Sequence, residues 1–158
     1  MRLQKRHSAG LMDVFVFTFE ELTNKTLYEI LRLRSEVFVV EQDCVYQDLD
    51  NKDQKALHVL GIKDGQVVAY TRIFRPGDYF HNASIGRVVV AMDQRKYGYG
   101  KQIMEASLAA IEKRFPNTSI EISAQSYLIK FYTELGFERI GEEYLEDGIP
   151  HVRMCKKA

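Results

Sequence analysis

The chain has 158 residues, with 22 Lys+Arg against 22 Asp+Glu and so no formal net charge, and 46% of its residues are apolar. That length carries one domain with a real core. The even charge balance excludes the broad positive field that nucleic acid or an anionic membrane surface requires, so an anionic ligand would have to be met by a local positive site. No apolar run approaches the ~20 residues that span a bilayer. Cys44 and Cys155 stand in no metal or redox spacing and read as reduced thiols of a cytoplasmic protein. His7, His58, His81 and His151 are scattered, and no metal is expected.

The opening MRLQKRHSAGLMDVFVFTF is basic and then apolar, but Asp13 interrupts the run and no small-residue cleavage site follows. Residues 1–11 read as a disordered N-terminal extension, or as sequence before a true start at Met12; residues 12–158 read as a single domain. DVFVFTF (13–19) alternates like a strand. TLYEILRLRSEVF (26–38) has helical spacing, with Thr26 and Glu29 in a capping-box pattern and Thr23 as an earlier alternative start. The polar stretch 41–56 is long for a connection, which favours a functional loop. DLDNKDQ within it begins like a calcium loop but lacks the glycine at the sixth position.

LHVLGIK (57–63), Asp64-Gly65 and QVVAYTRIFR (66–75) form a hairpin. SIGRVVVAM (84–92) reads as a buried strand, and 98–114 as a helix with Met104, Leu108, Ile111 and Phe115 on one face. SIEISA (119–124) is a strand and SYLIKFYTEL (126–135) a short helix, with Gly136 where a C-terminal cap belongs. FERIGEEYL (137–145) and HVRMCKK (151–157) close the chain as a hairpin. The order β-α-β-β-β-α-β-α-β-β predicts a mixed α/β sheet of about seven strands.

RKYGYGK (95–101) joins a strand to a helix. A helix start leaves backbone N–H groups unpaired and partly positive, and Gly98 and Gly100 would let phosphate oxygens approach. Arg95, Lys96 and Lys101 add local charge. Neither GxxxxGK[ST] nor GxGxxG is present, so on this stretch alone a solvated turn remains the other reading. Downstream, FYTELGF (131–137) follows one helix and one strand later.

Arg95, Gly98 and Gly100 with Phe131, Tyr132, Gly136 and Phe137 resemble the two paired motifs of the GCN5-related N-acetyltransferase (GNAT) superfamily. RSEVFVVEQDCVYQDLD, IGRVVV and EDGIPHVRM are similar to its ElaA-like branch, over roughly residues 13–158. Gln125, Leu128 and Met92 stand where many members have Asn, Ala and Pro. The resemblance implies a mostly antiparallel twisted sheet with a central parallel, splayed strand pair, flanked by helices. It implies acetyl-CoA as co-substrate, in the gap between strands 84–92 and 119–124. The pyrophosphate would lie on Arg95, Lys96, Tyr97, Gly98, Tyr99, Gly100 and Lys101, and the pantetheine amides along Val88, Val89 and Val90. Gln125 and Tyr132 complete that set.

The implied chemistry is direct attack of an amine on the thioester. A backbone N–H near Val89 or Val90 would polarise the carbonyl, and Tyr132 would protonate the leaving sulfur. Without the resemblance, Tyr132 would read as a core tyrosine. Glu41 is the first choice of general base, His58 the second and His151 the third. Asp48 and Asp50 could meet a cationic acceptor. Arg72 and Arg87 in strands need carboxylate partners, for which Glu36 or Glu41 are the candidates; in that case Glu41 is an anchor. The acceptor, a small amine, an amino acid, an antibiotic or a protein amine, is left open. Many relatives are dimers, so a homodimer is allowed. A non-catalytic acyl-CoA-binding regulator on the same fold is the alternative; it would not need Tyr132.

Overall fold

A computed structural model describes residues 11–158; the expectation for the N-terminal extension falls, apart from Leu11, outside the described residues. The chain runs β1 (Asp13–Thr18), α1 (Asn24–Arg34), β2 (Leu57–Lys63), β3 (Gln66–Phe74), β4 (Ala83–Val90), α2 (Tyr99–Arg114), β5 (Ile120–Gln125), α3 (Ile129–Glu134), β6 (Glu138–Arg139), β7 (Tyr144–Glu146) and β8 (Ile149–Lys156). One sheet of eight strands has the order β1-β2-β3-β4-β5-β8-β6, with β7 also paired to β8. All pairs are antiparallel except β4 and β5. The eighth strand arises because 137–145 does not form one strand. It divides into β6 and β7, and each pairs with a different part of β8. No helix among the described residues is long and apolar enough to cross a membrane.

Thr23, not Thr26, caps α1: its Oγ1 accepts from the Thr26 backbone N–H at 3.1 Å. The helix then continues past Arg34 as a wider π-helical turn, Ser35–Glu41. At the other end of the chain α3 closes with the paired bonds Phe137 N–H to Tyr132 O and Gly136 N–H to Thr133 O, at 3.1 and 3.0 Å. That closure needs a left-handed residue, and Gly136 supplies it with φ 96°.

The sheet has two packed faces. Ile30, Leu33 and Val37 of the first helical segment cover Leu60, Tyr70 and Val89 on one. On the other, α2 and α3 lie over Val59, Ala69, Ile73, Ile85 and Ile122. The buried line of α2 runs through Ile103, Met104, Ser107, Ala110 and Ile111, so the expected stripe was displaced: Leu108 and Phe115 lie at its margin. Each fully buried Ile or Met there contributes roughly 1.5–3 kcal/mol by transfer from water. Ser107 is tolerated in that line because its hydroxyl meets Thr71 Oγ1 at 2.6 Å and the Ile103 carbonyl at 2.7 Å.

Candidate active site

β4 and β5 pair only at Ala83↔Ile120 and Ser84↔Glu121, and then part. From Gly86 to Val90 the inner edge of β4 faces a gap instead of a strand. Its outer edge stays on β3, where Tyr70↔Val89 and Arg72↔Gly86 leave two residues of β4 opposite Thr71 alone. This is a β-bulge, and Arg87 within it has φ 48°. The bulge shifts side-chain parity, so Val89 joins the α1 face while Val88 and Val90 pack with α2. Ala91 N–H bonds Val68 O at 2.8 Å, so by ladder alternation the polar groups of Val90 point into the gap. The Val90 carbonyl accepts from Arg95 Nε at 3.1 Å, which leaves the N–H on this edge to suit a ligand with amides along its length.

At the end of the gap stands the start of α2. Gly98 has φ 73°, and no side chain caps the helix; its first backbone bond runs from Gln102 N–H to Gly98 O at 3.2 Å. The early N–H groups are therefore directed outward with the positive end of the helix dipole. A Cβ at Gly98 would meet no atom within 4 Å, and one at Gly100 would meet Phe131 and Val90 at 3.7 and 3.9 Å. Only the backbone conformation demands glycine at 98. Gly98→Ala is accordingly expected to cost about 1–2 kcal/mol of stability for the left-handed conformation, measurable in a urea titration.

Arg95 does not reach outward alone. Its Nη1 and Nη2 grip the Glu41 carboxylate at 2.5 and 2.6 Å, and its Nε donates to Val90 O at 3.1 Å. One guanidinium thus ties the turn to the π-helical segment and to the end of β4. Lys101 lies 3.9 Å from Glu105, and Lys96 lies over the Tyr97 ring. Sequence reasoning missed Lys63, which comes from β2 to sit 4.0 Å from the Tyr97 ring centroid and donates to Gln94 Oε1 at 3.1 Å. Its separation from 95–101 gave no signal.

Beneath the bulge lies a buried charge network. Arg34 bonds Asp48 Oδ2 at 3.0 Å and Asp53 Oδ1 at 2.7 Å. Arg72 meets Asp50 Oδ2 at 2.6 Å and Asp53 Oδ1 at 3.0 Å, and Arg87 Nε lies 2.8 Å from Asp48 Oδ1. Arginines 34, 72 and 87 are balanced by aspartates 48, 50 and 53. The expected partners Glu36 and Glu41 are thus replaced by the loop aspartates; Glu36 pairs with Arg32 at the surface. Asp48 and Asp50 are taken up here and do not stand free for a cationic acceptor. The long polar loop earns its length by pinning Arg87, and with it the bulge that sets the exposed edge of β4.

His58 belongs to the same network. Its Nε2–H donates to Asp53 O at 2.9 Å, and its Nδ1 accepts from the Tyr70 hydroxyl at 2.7 Å. Burial lowers its pKa below the ordinary 6.5. The unfolded chain therefore takes up this proton first, and stability is complete above about pH 6.5 and falls as pH drops toward the lower folded value. Asp50 and Asp53 are buried, which opposes ionisation, but their arginines prevail and hold both below the ordinary 3.8. Their share is lost only in stronger acid. The urea midpoint is expected to be flat above about pH 7, to decline gently below about 6.5 and steeply below about 4. A midpoint unchanged between pH 7 and 5 would contradict a neutral buried His58.

Tyr132 is buried between Phe131 and Phe137, which meet its ring edge-on at 5.1 and 6.1 Å. Its hydroxyl makes no hydrogen bond within the described residues, and the side chain lines the cleft together with Gly86, Val88, Gln125 and His151. Burial pushes its pKa well above the ordinary 10, so the hydroxyl keeps its proton. Glu41, in contrast, is held below the ordinary 4.5 by its bonds to Arg95. Gln125 Nε2 reaches Gln42 Oε1 across the gap at 3.4 Å. Tyr132, Gln125 and His151 thus line one cleft, Gly100 of the turn approaches Val90 and Phe131, and His58 is not among the residues that line the cleft.

A splayed parallel pair, a bulged inner strand and an uncapped helix start make up the candidate site. The family model of an acetyltransferase (GNAT) domain matches residues 20–158. The chain belongs to that family, and within it is ElaA-like. It is 40% identical to protein ElaA of Escherichia coli over 139 residues, 87% of this chain and 91% of ElaA. The crystal structure of an acyl-CoA N-acyltransferase from Pseudomonas aeruginosa superposes with a TM-score of 0.88 at 40% identity, over 92% of this chain and 99% of that one. The crystal structure of E. coli ElaA gives 0.88 at 37% identity, over 93% of this chain and all of that one.

Proposed function

We propose that this chain is a cytoplasmic N-acetyltransferase that moves an acetyl group from acetyl-CoA to an amine by direct attack. The observation that carries the reading is the cleft where the parted edge of β4 meets the Tyr132 side chain, whose hydroxyl has no partner among the described residues, with the uncapped start of α2 reaching Val90 and Phe131 through Gly100. Free Cys44 and Cys155 fit a reducing compartment.

In this reading the N–H groups of the first turn of α2 hold the pyrophosphate. Lys96 and Lys63 add charge nearby, while Arg95 holds the turn in shape through Glu41. Val88, Val89 and Val90 present the strand edge to the pantetheine amides. The Val90 N–H supports the carbonyl oxygen as it gains charge. Tyr132 gives its proton to the leaving sulfur. Glu41 and His58 are poor choices of base, since Arg95 occupies the one carboxylate and both nitrogens of the other are bonded. The alternative of a non-catalytic binder leaves the unpartnered Tyr132 hydroxyl without a purpose.

The test is a thiol-release assay with acetyl-CoA against a panel of primary amines, with mass spectrometry of the products. Amine-dependent release with an acetylated product is expected. Thiol release at one rate with and without every amine would overturn the reading.

A further inference from the structure

The hairpin β7–β8 lines part of the cleft, and a polar cluster lies there. His151 stands opposite Gln125 on one neighbour and opposite Tyr144 on the other. Its Nδ1–H donates to Ile149 O at 2.7 Å, which leaves the Nε2 lone pair facing Glu146 Oε2 at 3.2 Å. Glu146 Oε1 accepts from Ser123 Oγ at 3.3 Å, and Ser123 also bonds the Tyr144 hydroxyl. The pair is thus held in place from behind, while Glu146 keeps nearly half its surface exposed.

The charges of the cleft are uneven. Arg72 and Arg87 are neutralised by the loop aspartates, whereas among the described residues Glu146 and the neighbouring Asp147 meet no arginine or lysine on the cleft wall. The remaining wall mixes polar groups such as Gln42 and Ser84 with apolar ones, among them Phe74, Tyr79 and Phe80, with Tyr79 stacked on Phe74 at 5.1 Å and edge-on to Phe80 at 4.8 Å. A cation with an apolar body fits such a surface, and a carboxylate beside the cation does not.

We propose that Glu146 and His151 form the acceptor site, which takes a primary amine on an apolar or aromatic skeleton with no carboxylate beside the nitrogen, and removes its proton. This rests on the transferase reading above. Glu146 accepts a hydrogen bond from the ammonium, and His151 Nε2 takes one of its protons. The freed lone pair forms the N–C bond to the acyl carbon while the C–S bond breaks and its electron pair leaves on sulfur. Tyr132 protonates the sulfur. The proton that the new amide sheds restores Tyr132, and His151 Nε2 passes the first proton through Glu146 Oε2 to water, so one proton is released per acetyl transferred.

The experiment uses the full chain, 2-phenylethylamine and phenylalanine as probes, and the variants Glu146→Gln, Glu146→Asp and His151→Asn. Acetyl-CoA affinity is measured first by calorimetry and should be the same in all. The kcat/KM for 2-phenylethylamine is expected to fall at least about thirtyfold in Glu146→Gln and in His151→Asn, with partial recovery in Glu146→Asp. Wild type should prefer 2-phenylethylamine to phenylalanine by about tenfold or more. Independently, the imidazole nitrogen resonances of His151 should shift when 2-phenylethylamine is added to the protein without acetyl-CoA. With acetyl-CoA binding intact, a kcat/KM within about threefold of wild type in both variants, or a preference for phenylalanine, overturns the assignment. If wild type fails to bind acetyl-CoA, the transferase reading falls instead, and the His151 resonances alone decide whether the amine site stands.

Discussion

Replacing Asp53 by Asn is expected to lower the melting temperature by about 10 °C, from a loss of about 3–5 kcal/mol when one member of a buried ion network is removed. Asp53 is the joint of the network: its carboxylate serves both Arg34 and Arg72, and its backbone carbonyl accepts a hydrogen bond from His58 Nε2–H. The amide would keep the shape but leave two buried guanidinium groups and the half-buried Arg87 against two carboxylates. Their desolvation is then uncompensated, and that term outweighs the single lost contact. The disturbance should travel to Arg87 and the bulge, so acetyl-CoA binding should weaken as well. Calorimetric melting of wild type and Asp53→Asn checks this; a change of under about 2 °C would mean that the network is solvated and contributes little.

Tyr132→Phe should reduce acetyl transfer by about a hundredfold or more, with acetyl-CoA affinity unchanged. The hydroxyl has no partner to lose, so stability should hold within about 1 kcal/mol. Burial keeps the phenol protonated across the assay range, as a proton donor must be. Turnover in Tyr132→Phe equal to wild type would return this residue to the core, where its contacts with Phe131 and Phe137 already give it a packing role.

The parts legible in sequence are those written locally. The turns Asp64-Gly65 and Asp147-Gly148 lie where their dipeptides signal, each with both residues at positive φ. The glycines of RKYGYGK mark the opening of α2, and alternation in 13–19 marks an edge strand. What remained hidden depends on contacts between distant residues. Glu41 and Arg95 are 54 positions apart and were read separately, as a base and a phosphate ligand; folding joins them as one clip. The loop aspartates carry no periodic pattern, so the sequence points instead to Glu36 and Glu41 as the carboxylate partners of Arg72 and Arg87. The π-helical turn was missed because Val37, Phe38, Val39 and Val40 continue a helical run without a residue that marks widening. The strand 137–145 broke in two because both halves must reach β8, a requirement of the sheet and not of the segment.

The central claim is that the turn at 95–101 cradles the phosphates of CoA, and calorimetric titration of CoA into wild type and Gly100→Glu tests it most directly. A carboxylate in the first turn favours the helix dipole, and the added Cβ has ordinary contacts, so the variant should melt no lower than wild type. The same charge would face the pyrophosphate. Saturable binding by wild type, weakened about tenfold or more in an equally stable Gly100→Glu, is the predicted result. Equal affinity in the two proteins, or no binding by wild type at millimolar CoA, would contradict it.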